Sequence, residues 1–238
     1  MRMSGNTVVI TGGATGIGYA MAEYFLARDN VVVICGRRAD RLAQAAERLP
    51  GAHTMECDVT SPVGRERLIE FTRERFPNVN ILINNAGAQR DIDLTKGVAE
   101  LDDGDSEIAV NLEAPIWLSA MFLPLLRGKD NATIAHVSSG LAFMVERATR
   151  CPIYCATKAA VHAFAIAQRI QLAPAGVRVV EIIPPAVESE LNLASRRKRN
   201  FVTAPNMLTA DEFVAAALGQ MEQDVDEIRV PMKWAEHK

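Results

Sequence analysis

Val8-Val9-Ile10 runs straight into Thr11-Gly12-Gly13-Ala14-Thr15-Gly16-Ile17-Gly18, and how this stretch is read decides the fold. The short β-branched run reads as a buried strand, the glycines permit a tight turn, and a helix is expected over 17–28. The same alternation continues along the chain. Further strands are expected at 31–34, 53–57, 79–83, 132–137, 177–183 and 227–230. Helices are expected between them at 39–49, 62–76, 106–126, 153–172 and 210–222. Strands alternating with helices over short connections imply a parallel sheet joined by right-handed crossovers. The fold class is therefore α/β, a doubly wound sheet with helices on both faces, in which ligands sit beyond the C-terminal strand ends. Composition agrees: hydrophobic residues make up 49% and charged residues 23% of 238, enough apolar material for a sizeable core. No repeat, low-complexity tract or linker interrupts the pattern, so a single domain is expected over 1–238.

The glycine turn also carries chemistry. Its backbone N–H groups can approach a phosphate closely, and the N-terminus of the following helix adds unpaired donors and a positive dipole end. Gly12, Ala14, Thr15, Gly16, Ile17 and Gly18 are the candidate phosphate-binding residues. A glycine string alone is also an ordinary strand-to-helix turn; the order strand, turn, helix at the start of the chain gives it weight. The second strand ends in Gly36-Arg37-Arg38, where a dinucleotide lacking a 2′-phosphate is usually held by a carboxylate on its ribose hydroxyls. No carboxylate stands there to repel a phosphate, and Arg37 offers a planar fork that pairs with one. A solvated start to the next helix is the alternative reading of Arg37 and Arg38.

Farther along, Tyr154-Cys155-Ala156-Thr157-Lys158 opens an Ala-rich helix. Residues four apart share a helix face, so the phenol and the ammonium can serve one site, with the cation lowering the phenol pKa. Read alone, this spacing is commonplace. His136-Val137-Ser138-Ser139-Gly140 precedes it at the end of the fifth expected strand, and Asn111 stands at mid-helix, where propensity disfavours it.

The formal net charge of -3 leaves no global basic field to gather nucleic acid. No apolar run is read as long enough to span a bilayer and the N-terminus lacks an apolar signal core, so a cytoplasmic protein with no membrane partner is expected. Cys35, Cys57, Cys151 and Cys155 form neither a CxxC pair nor a zinc-spaced set with histidine. Cys35 and Cys57 are expected as buried free thiols, Cys151 and Cys155 as neighbours of the candidate site, and no metal is expected. His162 extends the Tyr154–Lys158 face by a further step of four and is assigned to packing.

In combination these segments resemble the classical short-chain dehydrogenase/reductase family. Thr11 to Gly18 resembles its TGxxxGxG signature rather than the Gly-x-Gly-x-x-Gly of ordinary dehydrogenases, Asn84-Asn85-Ala86-Gly87 resembles its NNAG segment, and Tyr154 to Lys158 its YxxxK. The resemblance runs from Thr7 to about Leu191. Ser139-Gly140-Leu141-Ala142-Phe143, Pro152-Ile153-Tyr154-Cys155-Ala156-Thr157-Lys158 and Ile183-Pro184-Pro185-Ala186-Val187 resemble, more narrowly, its DltE-like bacterial branch.

The resemblance implies a Rossmann-type sheet of about seven strands in the order 3-2-1-4-5-6-7, and hydride transfer between a nicotinamide cofactor and a carbonyl or secondary alcohol. It assigns Asn111, Ser139, Tyr154 and Lys158 as the catalytic set. Tyr154 would exchange the proton, Lys158 bind the nicotinamide ribose, Ser139 (with Ser138 as the fallback) hold the substrate oxygen, and Asn111 keep a relay water. Asp58 and Val59 would meet the adenine, and Asn85, Ala86 and Gly87 would wall the adenosine side. Pro185, Val187 and Ser189 would lie at the nicotinamide end and the phosphates. NADP(H) is favoured, with NAD(H) as the alternative; the partner is a small-molecule carbonyl or alcohol substrate, and the assembly a homodimer or homotetramer.

Two departures from the family pattern stand out. The interval from Ser139 to Tyr154 is long, with Glu146-Arg147-Ala148-Thr149-Arg150 as the expected bulge, and Pro185 replaces a glycine. Segment 188–210 is expected to form a substrate lid; its Arg196-Arg197-Lys198-Arg199 run either steers anions or is a solvated loop. Leu141, Phe143, Met144, Val145 and Leu191 suggest an apolar pocket. Two other classes of function compete: a catalytically idle cofactor-binding protein, and an epimerase or dehydratase on a related fold. The intact Asn111, Ser139, Tyr154 and Lys158 argue against the first, the chain length and glycine spacing against the second.

Overall fold

β1 (Thr7–Thr11) is buried at every residue, because it has a parallel neighbour on each edge and a helical layer on each face. A computed structural model describes residues 1–102, 106–191 and 207–231, the side chains of Asp102 and Arg147 excepted. After β1 come α1 (Gly16–Leu26), β2 (Val31–Gly36), α2 (Ala39–Arg48), β3 (His53–Glu56), α3 (Pro62–Arg75) and β4 (Ile81–Asn84). A short α4 (Ala99–Asp102) follows, then α5 (Ala114–Leu126), β5 (Thr133–Val137), α6 (Pro152–Leu172) and β6 (Arg178–Ile183). Beyond the undescribed 192–206 lie α7 (Ala210–Glu222) and β7 (Glu227–Arg229). All strands are parallel, in the order β3-β2-β1-β4-β5-β6-β7, as the resemblance implied.

The period of two along each strand divides the core. Val8, Ile10, Ile34, Ile83 and Ile182 pack under α1 and α7 with Met21, Phe25, Phe213 and Leu218. Val9, Val33, Leu82, Ile134 and Val179 pack on the opposite face with Leu68 of α3 and Leu118 and Phe122 of α5. The order reverses between β1 and β4, and the crevice at that switch point opens where both strands end.

Most element boundaries fall within two residues of expectation; the start of β4 and the entry to α5 are among those that differ. β4 begins at Ile81, although Asn80 keeps ladder hydrogen bonds on both sides, its N donating to Thr7 O at 3.1 Å and its O accepting from Thr133 N at 2.8 Å. Its side chain ties the same corner together, Oδ1 accepting from Thr7 N at 2.9 Å and Nδ2 donating to Asn6 Oδ1 at 2.9 Å and Asp130 O at 3.0 Å. The helix expected over 106–126 opens with α-helical residues 107–108 and then widens into one π turn, Ala109–Glu113. Pro115 cannot supply the N–H that an α-helix would bring to the Asn111 carbonyl, and Ala114 N reaches back five residues to Ala109 O instead. Asn111 sits inside this π turn.

The expectation that no run is long enough for a membrane needs correction. Ala109–Leu126 is 18 residues with a mean hydropathy of 1.4, long and apolar enough by composition to cross a bilayer. Hydropathy averages over a helix and does not see which face is covered; here Leu118, Phe122 and Leu126 are buried against the sheet.

Candidate active site

The glycine turn is locked to the end of β4. Thr11 Oγ1 accepts from Asn85 N and Ala86 N, both at 3.0 Å, and Asn85 Nδ2 donates to Thr11 O at 2.9 Å and Gly12 O at 3.1 Å. Gly12 has φ +65°, and a Cβ there would stand 2.9 Å from Ala86 Cα. A Cβ on Gly18 would come within 2.4 Å of Gly12 O, so the turn closes on α1 only with hydrogen at both positions. Thr15, at the N-cap of α1, makes no side-chain cap and no acid occupies the first turn. The helix thus presents its positive end, without a competing side-chain acceptor, to the crevice.

That crevice is a cleft of about 520 Å³ running from Gly36 to Leu191. Gly12, Ala14, Thr15, Gly16, Ile17, Arg37, Arg38, Asp58, Val59, Asn85, Ala86 and Gly87 line it. So do Ser138, Ser139, Tyr154, Lys158, Pro185, Val187 and Ser189. Of the candidate catalytic and cofactor-binding residues, Gly18 and Asn111 alone stand behind the wall. The volume and the uncapped helix end suit a dinucleotide. At the end of β2, a Cβ on Gly36 would meet nothing within 4 Å, leaving open space beside Arg37 and Arg38. Arg38 Nη2 donates to Thr15 Oγ1 at 3.4 Å and its Nη1 to Glu190 Oε2 at 3.0 Å, while Arg41 Nη2 pairs with Glu190 Oε1 at 3.2 Å. Arg41 and Glu190 were not legible as site residues: Glu190 lies 152 residues from Arg38.

At the other end, Tyr154 and Lys158 occupy one face of α6, 6% and 4% exposed. Lys158 Nζ donates to Val137 O at 2.8 Å and stands 5.7 Å from the Tyr154 ring centroid. Ser139 stands beside the Tyr154 hydroxyl, where it favours the phenolate, and its Oγ accepts from Leu141 N at 3.1 Å. The expected lowering of the Tyr154 pKa is reversed in the protein alone. Burial pushes Tyr154 up to about 12 against the opposing influence of Ser139, and pushes Lys158 down to about 8. Both ionisations lose solvation, and the ammonium spends a hydrogen bond on Val137 rather than on the phenol.

Asn111 holds the wall from behind. Its Oδ1 accepts from Ala88 N at 2.8 Å, and its Nδ2 donates to Ala88 O at 2.9 Å and to Thr157 Oγ1 at 3.1 Å. The π turn thereby ties the loop after β4 to the helix that carries Tyr154 and Lys158. The bulge at 146–150 is compact: a 3₁₀ turn, Val145–Arg147, leads to Ala148, which is buried with Cys151, Tyr154 and Cys155 beneath Leu141 and Leu191. All four cysteines are free and buried. Of the five residues expected to form an apolar pocket, Leu191 lines the cleft. Leu141 packs on the Ala148 cluster instead, Met144 and Val145 do not line the cleft, and Phe143 is turned away, its ring 4.7 Å from the His162 ring and under Arg229 at 4.2 Å. The Arg196–Arg199 run and most of the expected lid lie outside the described residues; Val187, at its start, pairs with Leu208, at its return.

Beneath Ser139 is a network that sequence reasoning missed. Ser138 Oγ donates to Glu181 Oε1 at 2.5 Å, and His162 Nδ1 bonds Glu181 Oε2 at 2.7 Å. Glu181 is fully buried in the middle of β6, and a carboxylate inside the apolar run Val179-Val180-Glu181-Ile182-Ile183 was the available signal. His162 therefore does more than pack. Glu227 brings a further carboxylate within 4.8 Å of this pair, but its Oε1 is held by Arg229. Nearby, burial pushes His136 down to about 4; Gln168 Oε1 at 2.8 Å and Asn84 Nδ2 at 3.4 Å suit a neutral ring donating from Nε2.

Sheet order, glycine turn and a buried tyrosine–lysine pair on one cleft define a Rossmann-type oxidoreductase fold. The chain belongs to the short chain dehydrogenase family, whose model matches residues 6–200. It is similar to the oxidoreductase DltE of Bacillus subtilis (strain 168), 43% identical over 228 residues that cover 96% of this chain and 89% of that protein. A short-chain dehydrogenase from Sphingobium yanoikuyae in complex with NADPH superposes with a TM-score of 0.80 at 29% identity, over 94% of this chain and 87% of that one. A 3-ketoacyl-(acyl-carrier-protein) reductase from Brucella melitensis complexed with NADH gives 0.79 at 26%, over 91% and 90%.

Proposed function

We propose that this protein is an NADP(H)-dependent oxidoreductase that interconverts a carbonyl compound and a secondary alcohol, with Tyr154 as the acid and base. The observation that carries the reading is the single wall shared by Ser139, Tyr154 and Lys158, continuous with the glycine turn in one cleft. When bound, the nicotinamide supplies the hydride in one direction and accepts it in the other. Burial keeps the Tyr154 hydroxyl protonated at neutral pH, ready to give its proton to a carbonyl oxygen as the carbon is reduced; in reverse it takes that proton back. Ser139 orients the substrate oxygen beside it. Lys158 holds the nicotinamide ribose, and its charge favours the phenolate as the proton leaves. Asn111 acts through Ala88 and Thr157 and holds the relay water in place.

The open space at Gly36, with Arg37 and Arg38 on the cleft, supports NADP(H) over NAD(H). Exposed Ile116 and Trp117 on α5 and Ile166 and Ile170 on α6 support assembly as a homodimer or homotetramer. A cytoplasmic location and one domain complete the proposal. Fluorescence titration with NADPH and NADH, followed by cofactor oxidation against a panel of ketones and aldehydes, tests it. Tighter NADPH binding and a turnover that Tyr154→Phe removes are expected. Tighter NADH binding defeats the cofactor assignment, and binding with no turnover on a broad panel favours an idle cofactor-binding protein.

A further inference from the structure

We infer that Glu190 is a specificity-determining residue: its carboxylate fills, as an internal anion, the place between Arg38 and Arg41 that a 2′-phosphate takes, and so sets how strongly the protein discriminates NADPH from NADH. The inference rests on the proposed NADP(H) reading. Three separate parts of the chain meet at this point. Arg38 is the N-cap of α2 and Arg41 belongs to its first turn; Thr15 comes from the glycine turn; Glu190 follows β6. Each carboxylate oxygen is taken by a different guanidinium, Oε2 by Arg38 Nη1 at 3.0 Å and Oε1 by Arg41 Nη2 at 3.2 Å. The arrangement is that of an anion in a two-arginine clasp, beside the open space at Gly36. Asp40, 4.0 Å from Arg41 Nε, is the other carboxylate on this clasp.

Charge and exposure decide the competition. A carboxylate brings one negative charge, a phosphate monoester about 1.5 to 2 and more acceptor oxygens, so a 2′-phosphate outbids Glu190 for the same donors. A cofactor ending in a ribose hydroxyl does not, and leaves the clasp closed. With Arg38, Arg41 and Glu190 side chains 53%, 38% and 35% exposed, the displaced ion pairs are weak. Removing the competing charge is therefore worth a factor of about 2–10 in affinity.

The test is equilibrium binding, read by fluorescence, of NADPH, NADH and adenosine 2′,5′-bisphosphate to the wild-type chain, Glu190→Gln, Arg38→Ala/Arg41→Ala and the triple variant. Glu190→Gln is expected to tighten NADPH and the bisphosphate by about 2–10-fold and to leave NADH within about 2-fold. The gain should vanish in the triple variant, as a double-mutant cycle requires, and shrink as salt is raised. An unchanged or weakened NADPH affinity in Glu190→Gln, in a chain whose Arg38→Ala/Arg41→Ala variant loses NADPH binding, overturns the role of Glu190 while leaving the NADP(H) reading intact. A wild-type chain that prefers NADH and an arginine variant that changes nothing remove the phosphate site itself, and the inference with it.

Discussion

At the catalytic end of the cleft, Tyr154 and Lys158 are 6% and 4% exposed, Tyr154 beside Ser139 and Lys158 bonded to Val137 O. At the mouth, Arg38 and Arg41 share one carboxylate with their side chains 53% and 38% exposed. The two ends use the same kinds of group under opposite physics. Inside, desolvation outweighs charge pairing, holding the phenol protonated and pushing the ammonium toward neutrality. At the mouth, water screens each pair, so the arginines can exchange one anion for another at small cost. Substitutions at the inner end should therefore move turnover and stability together, and those at the mouth should move ligand affinity alone.

The largest effect expected is Tyr154→Phe, a loss of about 10²–10⁴ in kcat with cofactor affinity nearly unchanged, measured on any carbonyl the panel identifies. Wild-type turnover in this variant would break the comparison at its inner end. Next comes Glu181→Ala, which strips Ser138 and His162 of their buried acceptor; a loss of about 3–5 kcal/mol in unfolding free energy is expected by denaturant titration. Lys158→Met should run the other way. The folded-state pKa of Lys158 is depressed from 10.5 to about 8, so the cost of burying its charge is fully present below pH 8 and fades as pH rises toward 10.5. The variant should be more stable than the wild type by about 1–3 kcal/mol at pH 7 and inactive, with the stability gap closing in alkaline buffer. Smallest is Glu190→Gln, for which thermal melts should show a change within about 0.5 kcal/mol. A larger shift would mean that the mouth, too, is part of the packed interior.

Much of this molecule was legible in the chain, and the exceptions have a common cause. Val8 to Gly18 announced strand, turn and helix because each signal spans a few adjacent residues, and the π turn at Asn111 could have been read from Pro115 four positions on. Tyr154 and Lys158 fell on one face because helical spacing is local. Phe143 was read as pocket and found edge-on against His162, since nothing near it in sequence says which way its ring turns. Glu181 and His162 lie 19 residues apart on different elements, and neither shows the other until β6 and α6 pack together.

By itself, the sequence determined the alternation of strands and helices, the glycine turn, and the presence of a phenol and an ammonium one helical turn apart. These depend on backbone sterics and on the periods of helix and strand, which act over a few residues. Tertiary structure alone decided that burial, not the neighbouring cation, governs Tyr154, that Ser138 rests on a buried carboxylate, and that Glu190 reaches across the cleft to two arginines. Desolvation and charge pairing depend on what surrounds a group in space, and in this chain those surroundings come from residues tens to more than a hundred positions away.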